Sequence, residues 1–96
     1  MARRSIRKRN PGGTATLASR AAFCVLSGIN EYQLTLWEHE ELITPATIAA
    51  VDGEPEPLYD AAALRRVRLI RTLAEDLEVN IPGIGVILHL LEQMDR

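Results

Sequence analysis

The sequence has a single cysteine, Cys24, so no internal disulfide holds the chain together, and one thiol argues for no metal site. No apolar run approaches the roughly 18 residues that a membrane span needs. The N-terminus is basic but lacks the apolar stretch of a secretory signal, so a cytoplasmic location is the default expectation. Also missing are a Gly-rich phosphate loop, a nucleophile elbow and any paired ligands at metal spacing. His39, flanked by glutamates in WEHEEL, reads as a solvated helix residue. His89 in VILHLLEQM has no second ligand three or four residues on and reads as partly buried or interfacial. Cys24, between Phe23 and Val25, reads as a small buried apolar group. Nothing here builds an active site, and neither cofactor nor metal is expected. The chain reads as a non-enzyme.

What is present suits one domain: 96 residues, 47% of them hydrophobic and 25% charged. The charge is divided along the chain. Residues 1–13 carry Arg3, Arg4, Arg7, Lys8 and Arg9 with no acid, a charge of +5. Residues 14–96 carry six basic and thirteen acidic residues, a charge of −7. The stretch MARRSIRKRNPGG has little to bury, so residues 1–16 are expected to be a disordered basic tail and residues 17–96 the domain. The tail's cations are either an arm for nucleic acid or another polyanion, or a solvated leader.

The domain reads as helices broken by one hairpin. Leu17, Ala21, Val25 and Leu26 fall at helical spacing, widened by Ala22 and Phe23, and Gly28 suits a left-handed helix end. Asn30 can cap a second helix, with Gln33 completing a capping box and Ile29 and Leu34 at the positions of a hydrophobic staple. That helix is expected to stop before Pro45. Two short helices joined by a Gly-containing turn form a helix-turn-helix. Asp52-Gly53 then signals a hairpin. Pairing Val51 with Glu54 and Ala49 with Glu56 leaves Pro55 and Pro57 where a missing N–H costs the ladder nothing. Ile48, Ala50, Pro55, Pro57 and Tyr59 share one face of this wing, and Glu54 and Glu56 take the other.

Asp60 caps a third helix with Leu64, Val67, Ile70, Leu73, Ala74 and Leu77 inward. Arg65, Arg68 and Arg71 lie away from that stripe, and Arg71 is spaced to pair with Glu75. Their face either touches phosphates or is solvated. Asn80, with Pro82 just inside, opens a fourth helix whose core stripe is Ile84, Ile87, Leu88, Leu91 and Met94. Val86 and Leu90 lie on another face, which is expected to bury against a partner or a second copy.

The run SGINEYQLTLWEHEELITP, the wing ending in PLYDAAALRRVRLIRTL and the closing NIPGIGVILHLLEQM together resemble a MerR-type winged helix-turn-helix across roughly residues 17–94. The resemblance implies a mostly α fold, four helices plus a small β-hairpin wing. Asn80-Ile81-Pro82-Gly83-Ile84 and the first-helix run AAFCVLSGI are similar to the CbpM family of chaperone modulators, which bind the J-domain of DnaJ-like co-chaperones such as CbpA. The other matching branch is the DNA-binding regulators, the HspR-like heat-shock repressors among them.

Departures from the DNA-binding pattern separate these branches. Where that branch has Arg-Tyr-Tyr-Glu, this chain has Thr35, Leu36, Trp37 and Glu38. Ala46 and Thr47 follow Pro45 where an arginine is usual, and Pro57 stands at the wing arginine. The exposed side of the second helix is expected to show Glu31, Thr35, Glu38 and His39, with Glu40 and Glu41 close by. Phosphate contacts dominate DNA affinity, so no specific duplex binding is expected. An acidic surface suits a basic protein. The resemblance supplies one, the basic second helix of a J-domain, whose occupation would regulate work with Hsp70. The interface is expected on helix two and the wing (Glu31, Thr35, Glu38, Glu40, Glu41, Glu54 and Glu56) or on the last two helices around Val86 and Leu90. Trp37 is either a binding anchor or a core residue. DNA-binding relatives extend their last helix into a dimer coiled coil. This sequence stops at Arg96, so no dimer of that kind is expected, and a homodimer through the last helix stays open.

Overall fold

Ser19 starts the first helix. Its hydroxyl accepts the Ala22 N–H at 3.2 Å, and α1 runs over Arg20–Ser27. The structure, a computed structural model, describes residues 16–94. The basic cluster Arg3, Arg4, Arg7, Lys8 and Arg9, and the disorder expected for the tail around it, lie outside the described residues.

Gly28 ends α1 with φ 74° and ψ 25°, and its N–H bonds the Cys24 carbonyl at 2.9 Å. The position also excludes a side chain, because a Cβ there would meet Arg71 Nη1 at 2.8 Å. Helix α2, Glu31–His39, opens on the expected capping box: Asn30 Oδ1 accepts from the Gln33 N–H at 2.8 Å, and Gln33 Oε1 accepts from the Asn30 N–H at 3.1 Å. Ile29 and Leu34, the staple residues, are both buried.

The helix ends at His39, well before Pro45, because Glu41 turns left-handed at φ 63°. The Leu42 N–H reaches back to the Trp37 carbonyl at 2.8 Å and the Glu41 N–H to the Glu38 carbonyl at 3.0 Å. This is a Schellman ending with glutamate at the position glycine usually takes.

The wing has the register its prolines dictate. Strands β1 (Thr47–Val51) and β2 (Glu54–Leu58) pair antiparallel, Val51 with Glu54, Ala49 with Glu56, and Ile48 with Pro57. Asp52 and Gly53 supply the two positive φ values of a type I′ turn, 53° and 82°. The supposed inner face is not covered, since Ile48 is 58% exposed. Only beyond the strand does the chain enter the core, at Tyr59. There Ala18 and Tyr59 exchange two backbone hydrogen bonds of 2.8 Å, adding the segment before α1 to the wing's edge.

Asp60 caps α3 (Ala61–Arg71), its Oδ1 accepting the Ala63 N–H at 3.0 Å. Ala63, Val67, Ile70 and Leu73 are buried and Leu64 and Ala74 partly so, close to the expected stripe. Leu77 departs from it at 63% exposed. The helix widens into a π-helical segment over Thr72–Asp76, and Glu78 at φ 56° reverses the chain before Leu77 can be covered. Helix α4, Ile81–Met94, starts where Asn80 Oδ1 accepts the Gly83 N–H at 2.9 Å. It packs on the π segment, burying Ile84 and Leu88. Its last turn runs past that support, so Leu91 and Met94 are exposed rather than core. Among the described residues no helix is long and apolar enough to cross a membrane.

The first helix turns the opposite way from its apolar pattern. Val25 is 82% exposed and Leu26 63%, Leu17 lies before the helix, and Phe23, Cys24 and Ser27 face the core. Phe23 decides this, because its ring stacks on Tyr59 with centroids 4.6 Å apart and planes within 17°. Ser27 tolerates burial because its hydroxyl donates to the Phe23 carbonyl at 2.7 Å.

Candidate functional site

One guanidinium gathers most of the exposed side of α2. Arg20 Nε donates to Glu31 Oε1 at 2.9 Å and Nη2 to Thr35 Oγ1 at 2.6 Å. Its Nη1 donates to Glu38 Oε1 at 2.6 Å and to the Tyr59 hydroxyl at 2.9 Å. That hydroxyl donates in turn to Glu38 Oε2 at 2.5 Å. The network joins the first turn of α1, two turns of α2 and the end of the wing. Arg20 and Glu38 are mostly buried, each side chain 23% exposed, so the pair is screened less than a surface ion pair.

The titration of these groups follows their surroundings. Burial alone would lower the Arg20 pKa, but the bonds to Glu38 and Glu31 outweigh it and raise it above the ordinary value. Burial and then the bond to Glu38 push Tyr59 up to about 12. Burial also pushes the Cys24 thiol up, which keeps it protonated and unreactive at neutral pH.

The expected site residues therefore divide. Glu31, Thr35 and Glu38 are brought together, but around an internal cation. With Arg20, the two carboxylates leave a net charge of −1 (+1 − 2). Glu38 is a strut between helices, not a free acid on the surface. Trp37 is 6% exposed, which makes it the core residue of its two readings and removes it as an anchor. Glu40, Glu41 and Glu54 are exposed and form no ion pair among the described residues, while Glu56 is half-buried on the wing. Among the described residues neither Glu54 nor Glu56 shares a side-chain hydrogen bond with the Arg20 cluster. Val86 and Leu90 stand outward on α4, 61% and 54% exposed. His89 is exposed rather than half-buried, 2.9 Å from the Gln93 amide nitrogen.

Two residues escaped the sequence reading. Tyr32 is 75% exposed on α2. Arg20 is the centre of the site, and its only sequence signal is isolation: it is the sole Lys or Arg between residues 10 and 64. Among the described residues no group of three or more His, Cys, Asp or Glu could hold a metal ion.

A family model described as MerR HTH family regulatory protein matches residues 19–96. The chain belongs to the MerR helix-turn-helix family. No curated protein matches it. In this MerR-type domain α2 is the recognition helix and β1–β2 the wing. The absence of Lys and Arg over residues 21–64 therefore covers both the recognition helix and the wing, a stretch that carries eight Asp and Glu residues instead. The remaining described cations sit on α3, where Arg66 and Arg71 are tied down. Arg66 donates to the Leu42 carbonyl and pairs with Glu92 at 2.6 Å. Arg71 donates to the Ser27 carbonyl at 3.1 Å and pairs with Glu75, as its spacing predicts.

Proposed function

We propose that this MerR-type domain is a binding module, not an enzyme, and that its partner is a basic protein surface rather than an operator. The partner of choice is the J-domain of a DnaJ-like co-chaperone in the cytoplasm, bound so as to regulate its work with Hsp70. One observation carries the reading: the recognition helix and wing hold no Lys or Arg, and the one cation that reaches this face among the described residues, Arg20 of α1, is occupied by Glu31 and Glu38. A duplex approaching this face meets carboxylates, whereas a basic helix gains from them.

Calorimetry of the full chain with a J-domain tests it. Binding is expected, with an on-rate that falls as salt rises. Charge reversal of Glu40 and Glu54 to lysine should weaken it more than the same change at Asp76 on the π segment. Glu38 is unsuitable for this comparison, because its loss also breaks the Arg20 and Tyr59 contacts.

The family description favours a second reading, a DNA-binding regulator of HspR-like kind. Its cations would come from Arg3, Arg4, Arg7, Lys8 and Arg9. A footprint on a defined operator at physiological salt would establish that reading and end the first. Under the first, any duplex binding is weak, steeply salt-dependent and abolished by deleting residues 1–13.

A further inference from the structure

Glu41, in the loop after α2, and the apolar end of α4 are distant in sequence yet border one groove. It holds about 730 Å³, a size that accepts several side chains, and lies between α3, the far half of α4 and the loop after α2. Leu69, Leu88, Leu91 and Met94 make its apolar surface, and Glu41 stands in its wall beside Leu42. Most of its charges are already committed. Arg66 holds the Leu42 carbonyl and Glu92, and Asp60 caps α3. Glu41 and Arg65 remain, both exposed and without an ion pair among the described residues.

Glu41 is at odds with its local setting. Its φ of 63° is one that glycine adopts more readily, and a carboxylate at a helix C-terminus opposes the helix dipole. A residue that breaks two local preferences at the wall of an apolar groove points to a demand from outside the helix.

We propose that the basic partner docks in this groove as an amphipathic helix. Its apolar side chains lie on Leu69, Leu91 and Met94, and a lysine or arginine on its flank reaches Glu41 and the adjacent Glu40. Arg65 lines the same groove and repels the basic flank, so only one orientation of the helix is favoured. The inference rests on the protein-binding reading above and gives it a site.

The test is calorimetry of the full chain and its variants with a J-domain, each fold checked by circular dichroism. Leu91→Glu and Met94→Glu change exposed residues and should fold, yet each should weaken binding at least tenfold. Glu41→Gly should weaken binding severalfold while raising thermal stability, a combination that a purely structural role does not produce. Wild-type binding with all three variants within twofold would overturn the groove and leave the protein-binding reading standing. Loss of affinity on Val86→Glu instead would move the interface to the outer face of α4 and overturn it too. No binding by the wild-type chain would end the protein-binding reading, and the groove proposal with it.

Discussion

Arg20 Nη1 lies 2.6 Å from Glu38 Oε1, so the start of α1 is pinned to the centre of the recognition helix. Replacing Arg20 with glutamine leaves Glu38 with the Tyr59 hydroxyl as its remaining partner in a mostly buried place. The expected loss is about 1–3 kcal/mol, below that of a fully buried pair because the side chains keep some solvent. The same change makes the α2 surface more negative by one charge. Association with a basic J-domain should therefore become faster at low salt even as the fold weakens. Urea unfolding and stopped-flow mixing read the two effects separately. Slower association would show that Arg20 itself meets the partner.

Tyr59 makes the fold sensitive to alkali. Its folded pKa of about 12 lies above the ordinary value of 10, so the folded state holds the phenolic proton more tightly than the unfolded chain. The sign follows: this contribution is complete below pH 10 and is lost as pH rises from 10 to 12, on the order of 2–3 kcal/mol in full. Unfolding free energies at pH 8 and pH 11 should differ more for the wild-type chain than for Tyr59→Phe. Equal slopes would remove Tyr59 as the cause.

The legible parts of the fold are those set by neighbours in sequence. Asn30 and Gln33 make the capping box because a three-residue spacing suffices, and Asp52-Gly53 with two alternate prolines leaves one workable wing register. The substitutions at Thr35, Thr47 and Pro57 could likewise be seen without a structure. What could not be seen depends on distant residues. Residues 21–26 are six consecutive apolar side chains, so the helical spacing of Leu17, Ala21, Val25 and Leu26 is matched by an equally apolar opposite face at Phe23 and Cys24. Tyr59, far along the chain, makes that choice by stacking on Phe23. Arg20 likewise meets partners 11 to 39 residues away, so the acids assigned to a free surface were already partly neutralised.

The inverted face of α1 is open to direct measurement. Val25→Ser and Leu26→Ser should each change stability by no more than about 0.5 kcal/mol, as surface substitutions do. Phe23→Ala removes a ring only 1% exposed and should cost about 3–5 kcal/mol. The apolar spacing of the sequence predicts large losses at Val25 and Leu26. Thermal unfolding of the three variants decides between the two orientations.

Two helix positions hold a residue that local preference would replace, and a third shows when glycine must stay. Glu41 sits left-handed at φ 63°, where a Cβ costs about 1 kcal/mol and the carboxylate faces the negative end of α2. Glycine there gives up some stability to the freer unfolded chain, so Glu41→Gly should gain about 0.5–1 kcal/mol net. Gly85 lies inside α4 and has the opposite problem. An added Cβ would sit 3.7 Å from Leu42 Cδ2, an ordinary contact, so Gly85→Ala should gain about 0.5–1 kcal/mol from a stiffer unfolded chain. Gly83, two residues earlier, should reverse the sign. A Cβ there would meet Val79 Cγ1 at 2.8 Å and Asn80 Oδ1 at 3.1 Å, pushing on the side chain that caps the helix. Gly83→Ala should lower the melting temperature while Gly85→Ala raises it, by about 2–8 °C for a domain of this size. Equal responses at the two glycines would mean that helix propensity alone governs α4, and that the Asn80 cap yields without cost.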